Sequence, residues 1–210
     1  MLNIVEKCII VFVAANTRTD DIEIETCAYF NLRRFQTKMK QSKNIYLSNL
    51  YGPSSSNIFN DEIDKKRFLD IVRSALEQNE CQVYAFCLLE HEVYFLVGAQ
   101  NQKLIKQFLN EIICEFQKYK KDSSLTFCSA LQHRRKMSAI EILECCRNIH
   151  VLPVENKYVK YLHDYWWSSY KDYMKKYSTG IVNPSLLIMQ LDKNASKAIN
   201  IFRKFHEDIS

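Results

Sequence analysis

An α+β fold with one four-stranded antiparallel sheet is what this sequence predicts, and three observations carry the prediction. Two apolar runs, 82–88 and 93–97, flank a polar turn. In the second, Glu92, Tyr94 and Leu96 share one face while Val93, Phe95 and Val97 share the other. Two further segments, opening at Asn60 or Asp61 and at Asn101, pair a capping side chain with an apolar stripe at helical spacing. The elements follow the order strand, helix, strand, strand, helix, strand, helix.

Each element has its own justification. Ile45–Leu50 is a strand, closed by the loop Gly52-Pro53-Ser54-Ser55-Ser56-Asn57. The first helix carries Phe68, Leu69, Val72, Ala75 and Leu76 on one stripe. Gln82–Leu88 and Val93–Val97 form a hairpin around the turn at 89–92. The second helix turns Ile105, Phe108, Leu109, Ile112, Ile113 and Phe116 to one side. Ser124–Leu131 reads as the fourth strand. Ser138 opens a third helix that Pro153 should stop. This is the split βαβ, ferredoxin-like order, with helices on one sheet face and the other face left for a partner. The predicted organisation is an N-terminal extension over 1–43, the sheet domain over 44–157 and a C-terminal helical extension over 158–210. Helices are expected there at 167–176, 184–190 and 194–205.

Composition narrows the class. Apolar residues make up 47% of the 210, enough for a sizeable core, and three glycines and three prolines argue against long disordered linkers. Net charge is +5 and the pI is near 8.7. Between 101 and 136, eight cations (Lys103, Lys106, Lys118, Lys120, Lys121, Arg134, Arg135, Lys136) face three acids, which favours an anionic partner. Eight cysteines without a Cys-x-x-Cys pair read as buried thiols in a reducing compartment rather than a zinc site. The longest apolar run near the start, Cys8–Ala15, is too short for a bilayer and lacks a net positive region upstream, so a soluble, cytoplasmic or nucleoid-associated protein with no membrane partner is expected.

Five segments carry a family resemblance. They are Ile58-Phe59-Asn60-Asp61-Glu62 with Arg67-Phe68-Leu69, Ala85-Phe86-Cys87-Leu88, Glu92-Val93-Tyr94, Asn148-Ile149-His150-Val151-Leu152-Pro153-Val154 and Asp164-Tyr165-Trp166-Trp167-Ser168-Ser169-Tyr170. In order and spacing the chain resembles the REP-associated branch of single-tyrosine HUH transposases, over roughly 44–178 and more weakly to 205. The resemblance implies cutting and rejoining of single-stranded DNA. Two strand histidines and a polar helix side chain would hold magnesium or manganese, and a helix tyrosine would form a 5′-phosphotyrosine link.

The residues that this chemistry needs are absent. Glu92 and Tyr94 occupy the two histidine positions, Asn148 the nucleophile position and Leu152 that of the third ligand. A carboxylate suits a hard cation, but a protonated phenol is a poor ligand, an amide cannot become a phosphotyrosine and leucine has no donor atom. His91 is one residue out of register, and its use as a ligand needs a bulge. His150 falls elsewhere on the helix, at about 100° per residue, and is expected to bond backbone. Between Gln132 and Asn148 the chain is shorter than the family, and the family's glycine- and arginine-rich first loop is replaced by 52–57. Apolar periodicity is intact throughout, so an inactive but folded protein that needs no cofactor is expected.

For DNA contact the sequence offers His133, Arg134, Arg135 and Lys136 after the fourth strand, then Lys118, Lys120 and Lys121 at the end of the second helix. The lysines could equally serve to offset the helix terminus. Tyr94, with Tyr84 and Phe86, would stack on bases if turned outward. Tyr165, Trp166, Trp167 and Tyr170 are expected to lock the C-terminal helices to the sheet. The leading expectation is a non-catalytic DNA-binding protein, recruited to transcriptional or other DNA-linked regulation. By resemblance it would form a homodimer suited to palindromic or hairpin DNA. Two alternatives stay open. One is an active nickase using Tyr158 or Tyr161 with Glu90, His91 and Glu92. The other is a protein-interaction module without nucleic-acid binding.

Overall fold

The structure, a computed structural model, describes residues 44–52, 57–121, 127–134, 137–175 and 177–207. The expected extension over 1–43, Arg135 and Lys136 lie outside the described residues. The strands are β1 (Asn44–Tyr51), β2 (Gln82–Leu88), β3 (Glu92–Ala99) and β4 (Cys128–Arg134), and the sheet order is β2-β3-β1-β4 with every neighbouring pair antiparallel. The α+β, ferredoxin-like class is therefore observed.

Helix α1 (Glu62–Gln78) starts where Asp61 accepts from the Asp64 backbone N–H at 2.9 Å, and α2 (Gln102–Lys120) where Asn101 accepts from Leu104 at 3.1 Å. Their stripes meet one sheet face in a nest of phenylalanines. Phe68 stacks on Phe95 with ring centroids 6.4 Å apart, and Phe116 meets both Phe59 and Phe68 edge-on. Cross-strand partners share a face, so Tyr46, Ser48, Leu50, Phe86, Val93, Phe95 and Val97 point towards α1 and α2.

Helix α3 (Ala139–Glu155) opens with a full capping box: Ser138 Oγ accepts from the Glu141 N–H, and Glu141 accepts from the Ser138 N–H. It packs against β2 and β3 on the opposite face, where Ala85, Cys87 and Leu96 are wholly buried. The face expected to be left for a partner is thus open only over β1 and β4, where Tyr51, Ala130, Gln132 and Arg134 are exposed. The helix also runs two residues past Pro153, where it was expected to stop. So near the C-terminus the missing proline N–H breaks one of the last hydrogen bonds only, and the proline's own carbonyl accepts from Tyr158 at 2.8 Å.

The fourth strand lies further along than 124–131. As an edge strand, β4 tolerates Gln132, His133 and Arg134, whose polarity hid it from a hydrophobic pattern. The C-terminal segment also differs. Residues 167–169 form a turn with one antiparallel bridge, Ser168 to Cys87, that closes the outer edge of β2: Leu88 N–H donates to Trp167 at 2.9 Å and Ser169 N–H to Phe86 at 3.0 Å. Only Tyr170–Tyr173 (α4) is then helical, followed by α5 (Ser185–Leu191) and α6 (Ala195–Glu207). Leu162, Tyr165, Tyr170, Tyr173, Leu187 and Phe202 are buried in one core with the sheet, so the extension is part of the domain's packing.

A bulge in β2 organises this docking. The register shifts between Val83 and Ala85, which turns the Tyr84 carbonyl out of the ladder. Tyr173 Oη donates to it at 2.6 Å, and Cys146 Sγ lies 3.8 Å away. The Tyr84 ring covers Gly98, where a Cβ would come within 2.9 Å of Tyr84 Cε2. Tyr84 and Phe86 are buried, which corrects the expectation that they could stack on bases: they are core.

Candidate functional site

Glu92 and Tyr94 stand at the start of β3, on the face that carries α3. Their register partners are Tyr51 and Asn49. Both are partly buried, and the Tyr94 hydroxyl donates to the Glu92 carboxylate. Asn49 donates to the phenol oxygen from the neighbouring strand. Burial raises the pKa of Tyr94 well above that of an ordinary phenol, and the bond to Glu92 adds to this. The position therefore presents a retained proton where a metal would need a lone pair.

The register is unbroken from Glu92 to Leu96, and the bulge lies in β2 instead. His91 sits in the exposed hairpin turn, its carbonyl accepting from Gly52 N–H at 3.3 Å. On α3, Asn148 is exposed and Leu152 packs against the core. The end of α3 is tied to the start of β3: the Tyr158 phenol accepts from the Glu90 backbone N–H, and Glu90 and Glu92 both add to the upward push that burial gives its pKa. With Glu92 already an acceptor for Tyr94, and Leu152 lacking a donor atom, these residues do not fit the divalent cation that the resemblance implies. Among the described residues no three His, Cys, Asp or Glu side chains converge elsewhere.

The expected DNA contacts do not form one cluster. Ile45 pairs with both Gly98 and Arg134, whereas Tyr51 pairs with both Glu92 and Cys128. Arg134 therefore lies at the opposite end of the sheet from Glu92, about 20 Å along it at the rise of a strand, and His133 is about 10 Å along it from Tyr94. His133 stacks on the buried Tyr46, with centroids 4.8 Å apart and planes 19° from parallel. Arg134 is exposed and donates to Gln132 Oε1 at 3.4 Å.

The end of α2 falls at the other end, beside the start of α1. Lys118 and Lys121 are exposed there, Lys118 within 2.7 Å of Glu115. Lys120 is different. Its ammonium lies 2.5 Å from Asp64 Oδ2, with both side chains largely buried. Burial pushes the Asp64 carboxyl up, but Lys120 and the Asn60 N–H outweigh it and the net shift is downward. Lys120 thus leaves the set expected to meet DNA: it neutralises a buried carboxylate inside the fold.

Two features escaped the sequence. First, His150 does not bond backbone as expected. It is buried, with Nε2 2.7 Å from Ser169 Oγ and Nδ1 3.1 Å from His206 Nε2, while His206 Nδ1 lies 2.9 Å from the Phe202 carbonyl. One assignment satisfies the whole chain: Ser169 donates to His150, His150 to His206 and His206 to Phe202, with both rings neutral. Burial drives the pKa of both downward, that of His206 to about 3. Second, the aromatic run divides. Tyr165 and Tyr170 are buried as expected, with Tyr165 Oη donating to Leu88 at 2.6 Å, and Trp167 is partly buried. Trp166 instead is 59% exposed, so it locks nothing to the sheet. No period in the sequence separates these cases, because the segment follows an edge rather than a helix.

The fold is an α+β domain whose β2 edge is closed by Trp167–Ser169 and whose β4 edge has no strand partner among the described residues. No family model and no curated protein matches the sequence. Among solved structures the chain is similar to a REP-associated tyrosine transposase bound to a REP hairpin. The TM-score is 0.53 at 11% sequence identity, covering 67% of this chain and 86% of that one. The likeness is one of fold. No helix among the described residues is long and apolar enough to cross a membrane.

Proposed function

We propose that this chain is a DNA-binding protein that uses a transposase-like frame without breaking strands, and that it serves in regulation. One observation carries the reading: the Tyr94 hydroxyl donates a hydrogen bond to Glu92 at the two positions where the resemblance calls for metal-binding imidazoles. The amide of Asn148 at the nucleophile position and the apolar Leu152 agree with it. DNA as the partner is supported by the neighbour's complex with a REP hairpin and by the exposed His133, Arg134, Lys118 and Lys121, with Arg135 and Lys136 next in sequence. A homodimer is part of the proposal. The outer edge of β4 has no strand partner among the described residues, and two copies would suit a palindromic or hairpin site.

The test is capture of bound DNA from cells, followed by titration on the recovered sequence at several salt concentrations. Discrete sites and an affinity that falls steeply with salt are expected. Absence of binding at low salt would leave the interaction-module reading.

A second reading has one specific observation in its favour. The Tyr158 phenol lies at the Glu90 turn, close enough to Glu92 to feel its charge, and is 38% exposed. A rearranged nickase would use this tyrosine. Manganese-dependent nicking lost in Tyr158→Phe would establish it.

A further inference from the structure

Helix α4 is a single turn, and the chain leaves it at Lys175 with φ at +53°. Between this turn and α6 lies a cleft of about 320 Å³, at the small end of ligand sites, which span roughly 300–1,000 Å³. Tyr170 is its buried wall. The ring is held by stacking on Phe202, 6.2 Å away, and its hydroxyl donates to Glu207 at 2.9 Å. On α6, Ile199, Arg203 and Glu207 line the cleft at one-turn intervals, and Met174 lines it beyond the end of α4. Met174 and Ile199 are half-buried, whereas Arg203 and Glu207 are exposed.

The charged groups of the cleft are underused. Among the described residues Arg203 makes no hydrogen bond or ion pair, although Glu207 is one turn away. Arginine followed by glutamate is the weaker order for a pair across a turn. Glu207 accepts from Tyr170, which leaves most of its roughly four lone-pair sites free. His163, which also lines the cleft, is already set against Asp164 at 3.5 Å.

We propose that this cleft binds a free α-amino acid with an apolar side chain. Arg203 takes the carboxylate on its planar fork, Glu207 takes the ammonium, and Met174 and Ile199 take the side chain. Charge selects the class. One unpaired guanidinium and one carboxylate in the same cleft suit a zwitterion. A phosphate would meet the Glu207 carboxylate, and an uncharged apolar ligand would desolvate both charges without pairing either.

The cleft also adjoins the docking of α6. Tyr170 follows Ser169 in the chain and Glu207 follows His206, and Ser169 and His206 both bond His150 in the buried chain described above. An amino acid seated between α4 and α6 therefore clamps α6 in place, which gives a regulator an effector site. The inference goes beyond the DNA-binding reading and does not depend on it.

The test titrates the full chain with L-leucine, L-isoleucine and L-methionine, by calorimetry and by thermal unfolding. Saturable binding of at least one, and a melting temperature that rises with its concentration, are expected. For L-leucine the analogues are leucinamide, which lacks the carboxylate, and isocaproate, which lacks the ammonium. Each should bind about tenfold more weakly, as loss of a charged hydrogen bond implies. Arg203→Gln should lower affinity by a similar factor. So should Glu207→Gln, which keeps an acceptor for Tyr170. Far-UV circular dichroism checks that both variants fold. Lys197→Ala, at an exposed position of α6 outside the cleft, should change nothing. Absence of binding by all three amino acids overturns the inference. So does equal binding of either analogue, displacement of the amino acid by inorganic phosphate, or affinity that survives both substitutions. None of these outcomes bears on DNA binding, so the proposed function stands or falls separately.

Discussion

Tyr94 donates its hydroxyl hydrogen to the carboxylate of Glu92, its neighbour on the same face of β3. Two side chains at the spacing of a strand metal site thus satisfy each other. Replacing both by histidine supplies two neutral imidazoles on that face. Glu92→His with Tyr94→His is expected to show saturable manganese binding by calorimetry where the native chain shows none. It should still form no covalent DNA adduct, because Asn148 is unchanged.

The buried histidine pair makes stability depend on acid. In the unfolded chain each imidazole takes up a proton near pH 6.5. In the folded chain both pKa values are lowered by burial, that of His206 to about 3. Below about pH 6.5 the unfolded state therefore binds more protons, and stability falls as pH falls, by up to about 1.4 kcal/mol per pH unit for each histidine. Urea titrations between pH 7 and pH 4 test this. His206→Phe, which keeps the stacking on Phe202, should lower that slope.

Gly98 has no room for a side chain beneath Tyr84. Gly98→Ala should destabilise by about 1–3 kcal/mol, as overpacking does. In a Tyr84→Ala background the same change should cost much less. A double-mutant cycle measures the coupling, and purely additive effects would contradict the contact.

Much of this fold was legible in the sequence because its signals are local. Asp61, Asn101 and Ser138 cap the three long helices, and the alternation at 92–97 sets the sheet faces. What escaped was set by tertiary context. β4 is polar because it is an edge, and 167–169 form a bridged turn because their backbone pairs with the edge of β2. The site was legible as a set of positions, Glu92, Tyr94, Asn148 and Leu152, but its hydrogen bond was not. Charge counting grouped Arg134 with Lys118 and Lys120. Strand direction separates Arg134 from both, and Asp64 removes Lys120 from contact with DNA.

Lys120 and Lys118 should therefore behave differently. Lys120→Met leaves the Asp64 carboxylate buried without its cation and is expected to destabilise by about 3 kcal/mol. Lys118→Ala, at an exposed pair, should leave the unfolding midpoint where it is. Thermal unfolding of the two variants separates structural from surface lysines.

Arg134 is exposed on β4, an edge without a strand partner among the described residues, and should meet phosphate. Arg134→Ala is expected to weaken DNA binding at low salt and to reduce the slope of log affinity against log salt by about one. An unchanged slope would remove β4 from the interface.

The most direct measurement is a cleavage and adduct assay: the full chain with manganese and a labelled single-stranded oligonucleotide bearing the recovered site, resolved under denaturing conditions. The account predicts intact DNA and no labelled protein band. A covalent adduct that disappears when one tyrosine is changed to phenylalanine would contradict it.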